Sequence, residues 1–201
     1  MPFIRYDWEQ WFKDRLCKLS CEERILDVGG GHPFQKRMAQ YQHLFEGKRY
    51  ETLDNSPRYH PTIVGDAHHI PLPDASVNAV LSLSTLEHLE DPKRAVEELH
   101  RVLASGGKAL IYTHFIYPYH ARGGVYGDYF RFTEEALRFL FRQFRQVELK
   151  KQGGYFRAMF FFTPFQRYTR PLGEPIAYVL DKVFKTEYRS TTAGYYVYAV
   201  K

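Results

Sequence analysis

The chain has 201 residues, 44% of them hydrophobic and 17% aromatic, which is enough apolar surface for one domain with a substantial core and too much for an unfolded chain. Its formal net charge is +5, but basic residues are interleaved with acids rather than massed, which argues against a nucleic-acid interface. No apolar run reaches the roughly 20 residues that span a bilayer, and the first residues lack the charged-then-apolar pattern of a signal peptide. Cys17 and Cys21 are too close in sequence to staple a fold, so a reducing cytoplasm is the expected location.

Trp8, Trp11, Phe12, Leu16 and Leu19 recur at helical spacing behind a candidate Asp7 cap, so the chain should open with an amphipathic helix. That helix either closes one face of the core or lids a ligand. Next, Arg24-Ile25-Leu26-Asp27-Val28 reads as a buried parallel strand that stops at Gly29-Gly30-Gly31, where backbone must come close to something else. Pro33 suits a first helical turn, which predicts a helix over Gln35 to Gln40 with its free N–H groups facing the glycines.

Further strands follow the same grammar. Arg49 to Asp54 ends in an acid before Asn55-Ser56-Pro57, Thr62 to Asp66 ends in another, and Val77 to Leu83 is nearly all apolar. Asp91-Pro92 should start a helix whose Ala95, Val96, Leu99, Val102 and Leu103 form one stripe, stopped by Ser105-Gly106-Gly107 before a strand from Lys108 to Phe115. Strands alternating with helices give a parallel, doubly wound sheet, in which ligands sit at the carboxyl ends of the strands. Asp27, Asp54, Asp66 and Ser82 all fall at such ends. Thr133 should cap a helix carrying Leu137, Leu140, Phe141 and Phe144 inward, and Val147 to Lys150 and Tyr195 to Val200 read as two last strands.

Between those strands lie an aromatic run, Tyr155 to Phe165, and a stretch from Pro175 to Lys185 that places Ile176, Val179, Leu180, Val183 and Phe184 on one helical face. This segment could wall a pocket, bury itself in a dimer, or lie on a membrane surface with its basic residues. Monomer and homodimer both fit. Adjacent His68 and His69 look like a metal pair, but neighbours on a loop rarely coordinate together without further ligands, so no metal is expected.

In their order, these pieces resemble the class I S-adenosylmethionine-dependent methyltransferases of the methyltransferase domain type 11 family. The resemblance runs over roughly residues 24–154: Leu26-Asp27-Val28-Gly29-Gly30-Gly31, Leu53-Asp54, Gly65-Asp66-Ala67, Leu86-Glu87-His88-Leu89 with Asp91-Pro92, and Gly106-Gly107. A dinucleotide dehydrogenase would instead want a glycine where Phe34 stands. Pro33-Phe34 replaces the broad family's third glycine. A subset with that variant also resembles this chain at Pro118 to His120 and at Asp128-Tyr129-Phe130-Arg131-Phe132-Thr133.

The resemblance implies an α/β fold: a Rossmann-like, doubly wound, mostly parallel seven-stranded sheet with helices on both faces and an aromatic helical insert before the last strand. One domain over 1–201 would comprise a helical cap (1–20), a cofactor-binding core (24–154), the insert (155–194) and the last strand (195–201). S-adenosyl-L-methionine would be the cofactor and S-adenosyl-L-homocysteine its product. Gly29, Gly30 and Gly31 would meet the methionine part, Asp27 its amino end, Asp54 and Asn55 the ribose, and Asp66 and Ala67 the adenine. Ser82 would complete the cofactor site. His88, His120 and Asp128 are the candidate catalytic groups, as base or as pocket lining, with Asp128 alternatively an ion-pair partner of Arg131. Tyr117, Tyr126 and Arg131 are candidate substrate contacts. The implied activity is methyl transfer to a small, lipid-linked or sugar-linked acceptor. The alternative is a non-catalytic cofactor-binding protein that works as an interaction or membrane-docking module.

Overall fold

Alternate residues of the central strands leave the sheet on opposite faces, and in this chain each face has its own core. The computed structural model describes residues 6–201, so the first five residues of the expected N-terminal cap lie outside the described residues. Five strands are parallel: β1 (Arg24–Val28), β2 (Arg49–Asp54), β3 (Ile63–Val64), β4 (Val77–Leu83) and β5 (Leu103–His114). β6 (Gln146–Lys151) and β7 (Gly194–Val200) are antiparallel, with β7 inserted between β5 and β6, giving the order β3-β2-β1-β4-β5-β7-β6. This is the mostly parallel seven-stranded α/β sheet that the sequence implied.

On one face, Phe12, Leu16 and Leu19 of α1 (Asp7–Ser20) bury against Ile25, Leu110 and Tyr196. On the other, Val96 and Leu99 of α2 (Pro92–Val102) and Leu137 of α3 (Glu134–Leu140) pack on Leu26, Ile111 and Val197. Strand neighbours such as Ile25 and Leu26 therefore go to different cores, as period-two geometry requires. Asp91 caps α2 by accepting from the Arg94 N–H at 2.9 Å, and Thr133 caps α3 by accepting from the Ala136 N–H at 3.2 Å.

The structure differs from the sequence reading at several places, and the expected Thr62–Asp66 strand is reduced to Ile63–Val64. Asp7 does not cap α1: it lies in the first turn and takes an ion pair from Lys150 at 2.7 Å. No regular helix follows the glycine turn. Burying the Phe34 ring on Tyr50, with centroids 4.4 Å apart, holds Phe34 at a left-handed φ of 53°, which breaks a helix, and a 3-10 segment, Lys36–Phe45, follows. β5 begins directly at Leu103, because the Ser105-Gly106-Gly107 stretch continues the strand rather than forming a stop.

The insert differs most. Its aromatic run forms a short helix, α4 (Tyr155–Phe160), and α5 spans Gln166–Val183, passing through Pro171 and Pro175. The apolar stripe faces out, with Ile176, Val179 and Val183 exposed, while Ala177 and Asp181 are buried. The reason is α4. Its first N–H groups need acceptors, and the Asp181 carboxylate accepts from Gly154 (2.9 Å), Phe156 (2.9 Å) and Arg157 (3.2 Å). Satisfying those donors turns the polar side of α5 inward. Phe161 is buried too, against Ala158, Ala193 and Tyr117.

Candidate active site

The glycine turn wraps around Asp27. A Cβ on Gly30 would stand 2.5 Å from the Asp27 carboxylate, and one on Gly29, whose φ is +73°, would stand 2.3 Å from Thr85. Only glycine allows that approach. The Tyr50 hydroxyl donates to Asp27 Oδ2 at 2.7 Å. Burial nevertheless pushes the Asp27 carboxyl up to about 6, partly offset by the Tyr50 bond and reinforced by the nearby Asp54 charge.

The next two strands end beside it. Asp54 is buried and accepts from the Ser56 N–H at 2.9 Å, while Asp66 accepts from the His68 N–H at 2.9 Å and lies 2.7 Å from the His68 ring. Asn55 and Asp66 line an open cleft of about 810 Å³ that extends to His88, Glu90, Tyr119 and Tyr126. Ala67 is buried behind Asp66. The Ser82 side chain is not brought to this cleft: it is 1% exposed and donates to the Val28 carbonyl at 2.9 Å, locking β4 to the end of β1.

On the other side of the cleft, the segment after β5 folds back on Leu86-Glu87-His88. Glu87 is fully buried, and its backbone carbonyl accepts from the Tyr129 and Phe130 N–H groups at 2.8 and 3.2 Å. Arg131 donates twice to Asp128, at 2.5 and 2.7 Å, and holds that carboxyl well below the usual range. Asp128 also accepts from the His120 N–H at 2.9 Å. So engaged, Asp128 is a poor proton acceptor, and Arg131, which also donates to the Tyr117 and Pro118 carbonyls, is committed to the loop rather than the cleft.

His88 does face the cleft. Its Nδ1 lies 2.6 Å from the Gly127 carbonyl, which can only accept, so Nδ1 carries the hydrogen and Nε2 the lone pair. Burial lowers its proton affinity. Tyr126 packs on the His88 ring at 4.4 Å. Tyr117 instead stacks on His114 at 3.9 Å and meets Phe161 at 5.0 Å, which is how the insert braces this side. Burial lowers His114 to about 3 and pushes Glu87 up to about 7.

Three contributors were not identified as site residues from the sequence. Tyr50 sits mid-strand, and nothing local points it at Asp27. Glu87 stood beside the more conspicuous His88, but His114 had a signal: it is the last residue of β5, a strand end of the kind that singled out Asp27, Asp54 and Asp66.

An acid at the end of each of β1 and β2, a glycine turn, and a parallel sheet closed by an antiparallel hairpin define an α/β domain whose polar groups gather at the carboxyl edge, where ligands of such sheets sit. Comparison with known proteins narrows this. Residues 26–111 match the methyltransferase domain family. The chain is 29% identical over 145 residues to 2-methyl-6-phytyl-1,4-hydroquinone methyltransferase of Spinacia oleracea, covering 64% of this chain and 41% of that protein. It is 43% identical over 51 residues to ajmaline N-methyltransferase of Rauvolfia serpentina, covering 25% and 18%. The chain thus spans less than half the length of these curated relatives. Among solved structures, an S-adenosylmethionine-dependent methyltransferase of Archaeoglobus fulgidus superposes with a TM-score of 0.63 at 14% identity, covering 96% of this chain and 93% of that one. A phosphoethanolamine N-methyltransferase of Haemonchus contortus, bound to S-adenosyl-L-methionine, gives 0.59 at 15% identity, with coverage of 96% and 52%. Residues 26–111 thus resemble the methyltransferase domain family, and the chain as a whole shares the fold of solved S-adenosylmethionine-dependent methyltransferases.

Proposed function

We propose that this protein transfers a methyl group from S-adenosyl-L-methionine to a small acceptor seated in the cleft between Asp66 and Tyr126. The observation that carries the reading is that the glycine turn with Asp27, the ends of β2 and β3, and His88 with the segment after β5 share one carboxyl edge, part of which opens as a single cleft. The donor set suits the cofactor. Asp27 would hold its ammonium group, Asp54 and Asn55 its ribose hydroxyls, and Asp66 its adenine amino group, with Gly29 to Gly31 clearing the backbone path. When bound, the sulfonium supplies an already electrophilic methyl, so the protein's main task is to orient the acceptor and exclude water.

Within that task His88 is the best-placed proton acceptor, because its Nε2 lone pair is free while Gly127 holds the other nitrogen. His120 is worse placed: its Nε2 is out of reach of solvent. Tyr119 and Tyr126 would give a partly apolar wall for the acceptor. The first test is a melting curve with and without S-adenosyl-L-methionine. Cofactor at about 100 times its dissociation constant should stabilise the protein by about 2.7 kcal/mol, or roughly 5–10 °C, and Asp54→Ala should abolish the shift. A wild type with no shift would overturn the reading. Screening acceptors with labelled cofactor then follows, with His88→Gln expected to bind the cofactor and lose turnover.

A second reading is favoured by the outer face of α5, where Leu172, Ile176, Val179 and Val183 are exposed. Here the protein docks on an anionic membrane surface. Sedimentation with anionic vesicles, lost in Val179→Asp, supports docking; retention of the protein in the supernatant rejects it.

A further inference from the structure

Three potential ligand atoms, Glu87 Oε1, His114 Nε2 and His120 Nε2, converge beneath the cleft, and polar partners hold the far side of each ring. Gln152 Nε2 donates to the Tyr196 hydroxyl at 3.0 Å, so its Oε1 is the acceptor for the Tyr112 hydroxyl at 2.6 Å. The Tyr112 oxygen, having spent its hydrogen, accepts from His114 Nδ1 at 3.2 Å. His114 Nε2 is therefore the bare nitrogen, and it lies 3.4 Å from Glu87 Oε1. Ser84 Oγ touches it only at the outer limit, 3.5 Å.

His120 repeats the arrangement. Its Nδ1 faces the Pro118 carbonyl at 3.1 Å and Asp128 Oδ2 at 3.3 Å, both acceptors, so Nδ1 holds the hydrogen. Arg131 stands farther off at 3.5 Å and gives its hydrogens to Asp128 and Pro118. Nε2 is again bare, buried and 3.9 Å from Glu87 Oε1. Glu87 itself accepts from Thr113 Oγ1 on Oε2 at 2.8 Å, while its Oε1 has no hydrogen-bond donor among the described residues, in a side chain that is 0% exposed.

Glu87 Oε1 and His120 Nε2 are buried with no hydrogen-bond partner among the described residues, and His114 Nε2 stands beside them, so a bound cation would satisfy all three. The ligand atoms of Glu87, His114 and His120 lie within 4.8 Å of one another. Ligands bound at about 2.1 Å in a tetrahedron stand about 3.4 Å apart, so Glu87 and His114 already have that spacing and the 3.9 Å between Glu87 and His120 need close by only about 0.5 Å. The far ring nitrogens are also held as metal-binding histidines are, each donating to an oxygen that fixes the tautomer. Asp128, by contrast, is saturated by Arg131 and the His120 N–H.

We propose that Glu87 Oε1, His114 Nε2 and His120 Nε2 bind a divalent transition-metal ion of the zinc or iron(II) type. Two imidazoles and a carboxylate suit these ions better than calcium or magnesium, which prefer all-oxygen shells. The ion joins the turn after β4, the end of β5 and the loop after β5, and so pins residues 115–133 over the acceptor side of the cleft. It is independent of the methyl-transfer reading, because it is read from metal content.

The test uses the full chain, purified without a polyhistidine tag and without chelators, and measures bound metals by mass spectrometry. One ion per chain is expected, lost in Glu87→Gln and in His120→Gln and retained in His69→Ala. Zinc(II) added to chelator-treated wild type should raise its melting temperature and slow proteolysis within 115–133, with neither effect in Glu87→Gln. Glu87→Gln keeps the side-chain shape, and His120→Gln serves if it does not fold. Metal-free wild type that zinc(II) does not stabilise would overturn the proposal, since a proton on Glu87 would then join the groups. So would a Glu87→Gln variant that binds zinc(II) as the wild type does.

Discussion

Two buried carboxyl groups occupy the same sheet edge under opposite conditions. Asp27, at the end of β1, is wrapped by its own following residues and takes the Tyr50 hydroxyl, and its glycine turn sits beside the ends of β2 and β3. Glu87, after β4, is sealed in by a loop some forty residues downstream and braced by an insert farther still. The glycine turn around Asp27 is local, so it follows from a few consecutive residues, although the Tyr50 bond does not. The second exists only once Tyr117, His120 and Asp128 have folded back. The contrast predicts that the glycine side should fail through backbone geometry and the far side through lost polar partners.

The largest effect should come from the far side. Asp181→Ala removes a buried acceptor shared by the N–H groups of Gly154, Phe156 and Arg157 at the start of α4 and by the Thr186 hydroxyl. Loss of a charged acceptor over several buried donors should cost about 3 kcal/mol, lowering the melting temperature by roughly 6–12 °C, while S-adenosyl-L-methionine affinity stays close to wild type. An equal loss of cofactor affinity would mean that the two sides are one cooperative unit. Next comes Gly29→Ala. Its φ of +73° and a Cβ 2.3 Å from Thr85 combine strain with a clash. About 2 kcal/mol should be lost together with the cofactor-induced shift. Gly47→Ala, at φ +74° with nothing within 4 Å, isolates the strain and should cost about 1 kcal/mol.

The pH dependence of cofactor binding is a finer probe of the glycine side. Because Asp27 is raised to about 6, the free protein holds its proton below that pH. A ligand that pairs an ammonium group with the carboxylate must displace the proton, so affinity should fall about tenfold per unit below pH 6, as titration calorimetry would show, and level off above it. The same raised value means that Asp27 stabilises the unliganded fold below the usual aspartate range and that this contribution is lost as pH rises through about 6. Asp27→Asn should bind more weakly and flatten the slope. A slope that persists in Asp27→Asn would place the titrating group elsewhere.

These differences mirror what the sequence could and could not reveal. β4 has the boundaries read from the sequence because burial on both faces leaves an apolar run with sharp ends, and β2 has them because Asn55-Ser56-Pro57 breaks the chain after Asp54. The acids at strand ends were legible for the same reason. The Lys36–Phe45 segment was not, because Pro33 signals a helix start while the choice against it is made by the Phe34 ring seeking Tyr50 and Phe45, contacts remote in sequence. Ser82 was placed correctly on its strand but not in its role, since position at a strand end does not say whether a hydroxyl faces outward or donates to the neighbouring strand, as it does to Val28. Glu87 was hidden by its neighbour: in Leu86-Glu87-His88 the histidine draws attention, yet it is the glutamate whose side chain is fully buried.

The smallest effect separates two opposite readings of α5. Periodicity alone puts Ile176, Val179, Leu180, Val183 and Phe184 on one face, and a face so apolar is ordinarily the buried one. On that reading, Val179→Ser would cost about 1–3 kcal/mol. In the structure, Val179 is 47% exposed, and the helix is oriented instead by Asp181 beneath the start of α4. Val179→Ser should then change stability by less than about 0.5 kcal/mol, within the scatter of surface substitutions. A melting curve decides between them, and the result bears on more than one residue. A near-zero effect means that one buried carboxylate, by satisfying donors that have no other acceptor, outweighs a whole apolar stripe in setting which way a helix faces.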